Sequence, residues 1–187
     1  VESLLEHGPP NAGDLEQGHI VGFLPTKGGL GNSTLALNTA IELRKAHPRH
    51  SCVLVELQSG KGTLALQLGH EHVEGLATLL QHPLPYITEE SLNQHMLVGH
   101  PSGLHVLPAS RDPIGVGPTL TRRYLGTILR YLSVAYDYVL LDLPADLSSP
   151  YPEALSFCKT LLLTVEPSRI GIQLARDMLN ALDRRRI

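Results

Sequence analysis

This 187-residue sequence is short of cysteine, short of net charge, and has no long apolar run. Its two cysteines, Cys52 and Cys158, lie far apart and form no C-x-x-C pair. A disulfide framework is therefore excluded, and a reducing compartment, the cytoplasm, is expected. Fifteen Lys and Arg stand against 18 Asp and Glu, a net charge of −3, so no strong bulk attraction to nucleic acid or acidic lipid is expected. No apolar stretch reaches the roughly 20 residues of a membrane span. The opening residues, VESLLEHGPPNAGDLEQG, lack the basic start and apolar core of a signal peptide. Ten histidines are present, but no H-x-x-x-H falls on a helical pattern and no cysteine pair accompanies any of them, so no structural metal site is expected. There is no G-x-S-x-G nucleophile elbow either. The short basic end, Arg184 to Arg186, reads as a solvated helix terminus.

What is present reads as one globular domain. Hydrophobic residues make up 42% and charged residues 18%, ordinary values for a packed fold of this length. Residues 1–18 read as a linker broken by Pro9, Pro10, Gly13 and Gly18. From residue 19 to 187 apolar runs alternate with helical patterns. Strands are predicted over residues 19–24, 52–57, 104–107, 138–143 and 160–165. Helices are predicted over 33–46, 76–80, 88–97, 120–134 and 168–183, with Thr88 as an N-cap ahead of Glu89 and Glu90. The run YVLLDL is continuously apolar up to its aspartate, as a buried parallel strand requires. Strands separated by helices imply βαβ units and a mainly parallel sheet with helices on both faces, a three-layer α/β/α sandwich.

One stretch organises the rest. An apolar run, HIVGFLP, leads into TKGGLGNST, and an apolar-periodic run leads out: strand, glycine-rich turn, helix. Gly28, Gly29 and Gly31 let the backbone bend sharply and approach a ligand closely. Free N–H groups ahead of a helix N-terminus form an anion site. This is a P-loop NTPase pattern with two departures from G-x-x-x-x-G-K-[ST]. Thr26 stands for the first glycine and Asn32 for the lysine, while Ser33 keeps the magnesium-binding hydroxyl. The backbone of Lys27, Gly28, Gly29, Leu30, Gly31, Asn32, Ser33 and Thr34 is the candidate phosphate cradle; the bland reading is a structural turn. At the end of YVLLDLP, Asp142 reaches the carboxyl edge of the sheet, where a carboxylate can meet a magnesium ion. It could also cap the following turn.

The wording K-G-G-x-G-x-[ST]-T resembles the deviant Walker A loop of the ParA/MinD family of P-loop ATPases. The segments EGLATLLQ, PSGLHVLP with ASRDP after it, and YDYVLLDLP resemble, in the expected order, the TadZ/CpaE pilus-assembly branch. That branch often carries a small or polar residue where Asn32 stands. The resemblance implies ATP and Mg2+ as cofactors and a nucleotide-dependent homodimer in which Lys27 reaches the partner's nucleotide. It also implies pilus or secretion assembly proteins as partners, which recruit a cytoplasmic protein to the inner membrane or cell pole. In VELQSGKGTLALQLG the family's acidic positions are taken by Glu56, Gln58 and Thr63. Glu56 is then the candidate catalytic carboxylate that positions water, beside Lys27; a solvated strand-end carboxylate is the plain alternative. A preceding receiver-like domain is expected, as is a short or missing C-terminal part of the domain, with adenine recognition affected.

Asn32 carries no charge, and Glu56 and Gln58 replace aspartates, so slow or absent hydrolysis is expected. The leading expectation is an ATP-binding, dimerising protein that positions a type IV pilus or Tad secretion machine. Two others stand beside it: a ParA/MinD-like ATPase of DNA segregation or division-site placement, and a pseudo-ATPase scaffold without nucleotide.

Overall fold

The computed structural model describes residues 18–58, 62–70, 75–97, 100–109, 120–146, 148–185 and 187. The expected linker before Gly18, residues 71–74, the segment after Ala109 and Arg186 lie outside the described residues. Five strands form one sheet: β1 (His19–Pro25), β2 (Cys52–Glu56), β3 (His105–Leu107), β4 (Tyr138–Asp142) and β5 (Thr160–Thr164). Their order across the sheet is β3-β2-β4-β1-β5, and every pair is parallel. Seven α-helices are described: α1 (Asn32–Ala46), α2 (Leu64–Gln67), α3 (Leu76–Leu79), α4 (Glu89–Gln94), α5 (Arg122–Ala135), α6 (Tyr151–Phe157) and α7 (Arg169–Arg185).

The period-2 alternation of the strands divides the core in two. On one face Phe23, Leu54, Val106 and Leu140 pack against Ala36, Leu37 and Ala40 of α1 and Leu64 of α2. On the other, Ile20, Leu24, Val53, Val55, Val139 and Leu141 pack against α3, α4, α5 and α6, and against Leu182 of α7. Both faces of β2 and β4 are buried, which is why their sequences are apolar throughout. Each fully buried leucine of this kind contributes about 1.5–3 kcal/mol. The sandwich architecture expected from the alternation is the one observed.

The differences in detail have local causes. Helix α4 ends at Gln94, and Leu97 instead makes an antiparallel bridge to Val106. Its start is as expected: Thr88 Oγ1 accepts from Ser91 N and Ser91 Oγ accepts from Thr88 N, a capping box. Helix α2 spans four residues, too short for a helical period to register in the sequence. Helix α6 follows Pro150 and carries Pro152 in its first turn.

The register decides where chemistry can occur. Asp142 is paired with Phe23 on one side and with Glu56 on the other. The loop after β1 and the ends of β2, β4 and β5 therefore meet at one carboxyl edge, where α/β sheets bind ligands.

Candidate functional site

The loop leaves β1 through Thr26 and is fastened to β5 at once. Thr26 N donates to Thr164 O at 3.0 Å, and Thr26 Oγ1 donates to the same oxygen at 3.2 Å. That hydroxyl is what stands in place of the pattern's first glycine. Gly29 and Gly31 take φ of +82° and +74°, the left-handed region that disfavours side chains. A Cβ built on Gly28, Gly29 or Gly31 would meet nothing within 4 Å, so no protein atom crowds the loop at these three positions. Gly31 caps α1 without any side-chain hydrogen bond, unlike the threonine caps of α4 and α5. The first-turn N–H groups of α1 are left for another acceptor, and an anion is the favoured one.

Asn32 does not face that opening. Only 6% of it is exposed, and its side chain turns under the loop into the sheet edge. Nδ2 donates to Asp142 Oδ1 at 2.8 Å and to Phe23 O at 3.0 Å, while Oδ1 accepts from Thr164 Oγ1 at 2.9 Å. Its side-chain amide is therefore spent on β1, β4 and β5 and not turned to the loop's opening. Its backbone N–H remains in the first turn of α1.

Asp142 is fully buried. Burial holds its carboxyl above the ordinary value of 3.8, against the opposing pull of Ser33, Asn32 and Gln58; nearby Glu56 adds to the rise. One oxygen is held by Asn32; Ser33 and Gln58 lie near enough to favour the ionised form, but no hydrogen bond of proper length and angle reaches the other oxygen, Oδ2. A buried, unpartnered carboxylate oxygen with a serine nearby is an unfinished coordination site. Oxygen donors suit a hard cation such as magnesium, which asks for few protein ligands and keeps its waters. The residues present fit the group.

Glu56 requires a second correction. Its exposure is 0%, so it is neither a solvated strand-end carboxylate nor one that faces water. Oε1 accepts from Thr63 N at 2.6 Å and Leu64 N at 3.2 Å, and Oε2 accepts from Ala109 N at 2.9 Å. The carboxylate clamps the loop after β2 to the end of the β3 loop. Gly62 is needed for this closeness, since a Cβ there would lie 2.8 Å from Glu56 Oε2 and 2.8 Å from Ala109 O.

Lys27 projects outward, with its side chain 40% exposed, and its Nζ lies 2.7 Å from Glu166 Oε2 just past β5. The lysine, through its hydrogen bond, and Ser168 hold the Glu166 carboxyl below its ordinary value. Sequence reasoning did not single out Thr164 or Glu166. A signal existed, because Glu166 directly follows the predicted strand 160–165 and must share the loop's sheet edge.

Comparison with known proteins agrees with this geometry. Residues 18–186 match the family described as an AAA domain. The chromosome partitioning protein ParA of Myxococcus xanthus is 26% identical over 96% of this chain and 63% of its own. The ParA family ATPase of Chlorobium tepidum superposes with TM-score 0.77 at 20% identity, over 89% of this chain and 68% of that one. The septum site-determining protein MinD of Pyrococcus horikoshii, solved with Mg-ADP, gives 0.71 at 20% identity, over 89% and 65%. The chain thus spans less than two thirds of the curated relative's length.

Two outcomes are expected. Glu56→Gln keeps the shape but removes the charge that three backbone N–H groups share, so urea unfolding should show a loss of about 3 kcal/mol. Asp142→Asn should act in the other direction. The unfolded chain ionises Asp142 near 3.8, whereas the folded protein resists ionisation to higher pH, so this residue's contribution to stability falls as pH rises between the two values. In EDTA at pH 7 the Asp142→Asn protein should melt above wild type, and the gap should close below about pH 3.8, where both side chains are neutral. An equal or lower melting temperature at pH 7 would show that burial does not disfavour the ionised carboxylate.

Proposed function

The chain belongs to the ParA/MinD type of P-loop ATPases, and from that premise we propose that it binds ATP with Mg2+ and uses nucleotide occupancy to pair with a second copy of itself. The observation that carries this reading is Asp142 Oδ2, buried without a partner at the edge where an uncapped helix N-terminus and an open glycine loop converge.

In this reading the backbone N–H groups of residues 28–34 hold the phosphates. The Ser33 hydroxyl and Asp142, directly or through water, hold the magnesium ion. Magnesium, when bound, would neutralise part of the phosphate charge. Lys27 contacts the nucleotide of the second copy, for which it must leave Glu166. That exchange is undemanding, because the pair is exposed and water screens it. Hydrolysis is slow. Position 32 offers the phosphates no lysine, and Glu56 is enclosed by backbone donors and cannot orient water without opening two loops.

The cargo is the finer question. The matched relatives are named as partitioning and septum-placement proteins, which supports placement of DNA or a division site over placement of a pilus machine. The pilus-assembly reading rests on Asn32 and on the segment resemblances alone.

Calorimetric titration tests the site. Wild-type protein should bind ATP more tightly with Mg2+ than in EDTA, and Ser33→Ala should lose affinity chiefly in the Mg2+ series. Absence of any binding heat or affinity in either series would favour a nucleotide-free scaffold. Sedimentation tests the pairing. ATP should shift wild type towards a dimer, and Lys27→Ala should bind ATP yet remain a monomer. A nucleotide-loaded Lys27→Ala dimer would remove the role of Lys27 across the interface.

A further inference from the structure

Position 32 holds an amide where the loop pattern asks for a lysine, and that amide lies within a closed set of partners. Phe23 O and Asp142 Oδ1 only accept hydrogen bonds, so the –NH2 end of the Asn32 side chain must face them. The carbonyl end then receives the single proton of the Thr164 hydroxyl. Donor and acceptor identities are thus fixed by Phe23 O and Asp142 Oδ1, and a flipped amide would set its oxygen against both of these acceptors. A carboxylate on a one-carbon stem can otherwise turn broadly about its last torsion. With Asn32 on one oxygen the plane of the carboxylate is fixed, and the other oxygen, Oδ2, is left without a partner.

We propose that Asn32 is a positioning residue for the metal-facing carboxylate. Its amide, aimed by the Thr164 hydroxyl, holds Asp142 Oδ1 so that Oδ2 is the oxygen presented to the cation. Because Thr164 also receives Thr26 through its carbonyl, the same residue of β5 anchors the loop and orients the metal ligand. The substitution of the lysine has moved the function of position 32 from the phosphates to the metal. Asn32 acts through Asp142 and touches neither nucleotide nor cation with its side chain. The inference rests on the magnesium–nucleotide reading of the same site.

Its test uses ADP, so that no turnover is involved. The quantity read is the Mg2+ enhancement, the ratio of the ADP dissociation constant in EDTA to that in Mg2+. Removal of a residue that orients a metal ligand costs about 10–100-fold in metal affinity. Asn32→Ala should therefore reduce the enhancement by about tenfold, with a much smaller change in EDTA. Thr164→Val, which deletes only the aiming hydroxyl, should reduce it in the same direction, and Thr164→Ser should restore it. A residue that served only to hold the fold together would lower the melting temperature and leave the enhancement intact. An unchanged enhancement in folded Asn32→Ala overturns the proposal. Should Asn32→Ala fail to fold, the threonine pair decides: equal enhancements in Thr164→Val and Thr164→Ser overturn it equally. A wild-type protein that binds ADP no better with Mg2+ than in EDTA defeats the magnesium reading itself, and this inference with it.

Discussion

The parallel pairing of β1 with β4 is the constraint on which the site depends. It sets Phe23 beside Asp142, and Leu143 N continues the ladder to Phe23 O at 3.0 Å. A glycine-rich loop at the end of one strand is only a loop, and an aspartate at the end of another is only a terminus. One register brings them within the reach of a single amide. A slip by one residue would turn Asp142 to the opposite face of the sheet and leave the loop without a carboxylate.

Two buried carboxylates share this edge and have opposite fates. Glu56 is surrounded by backbone N–H donors from two loops, and its negative charge is used as a fastener. Asp142 is held on one oxygen and left bare on the other. The first arrangement stabilises the loops that frame the edge. The second costs stability in the isolated protein, because a buried polar atom without a partner loses its hydration for nothing in return. Such local cost is characteristic of sites that await a ligand.

The departures of the loop from its usual pattern belong together. Thr26 and Asn32 both bind Thr164, and Lys27 pairs with Glu166 two residues further along. Each change attaches the loop to the end of β5. The strand at the sheet's margin thereby becomes part of the floor of the site and continues directly into α7. Three side-chain contacts tie the loop to the end of β5 and to the residues that lead into α7.

Local pattern alone determined the parallel α/β architecture, the loop between β1 and α1, the Thr88 cap and the delivery of Asp142 to the carboxyl edge. These follow from periodicity, glycine and capping chemistry, which act over a few residues. The side-chain directions at the site were not legible in the same way. Asn32 stands in a phosphate-binding position, yet the acceptors on β1 and β4 and the hydroxyl of β5 draw it inward. Glu56 ends an apolar strand as a solvated carboxylate would, yet N–H groups from residues 63, 64 and 109 enclose it. Thr164 and Glu166 carry no motif, because their importance comes from partners more than a hundred residues away. Sequence specified which residues reach the edge; only the packing of four strand ends together decided what each of them holds, since a hydrogen bond is set by what lies within about 3 Å in space.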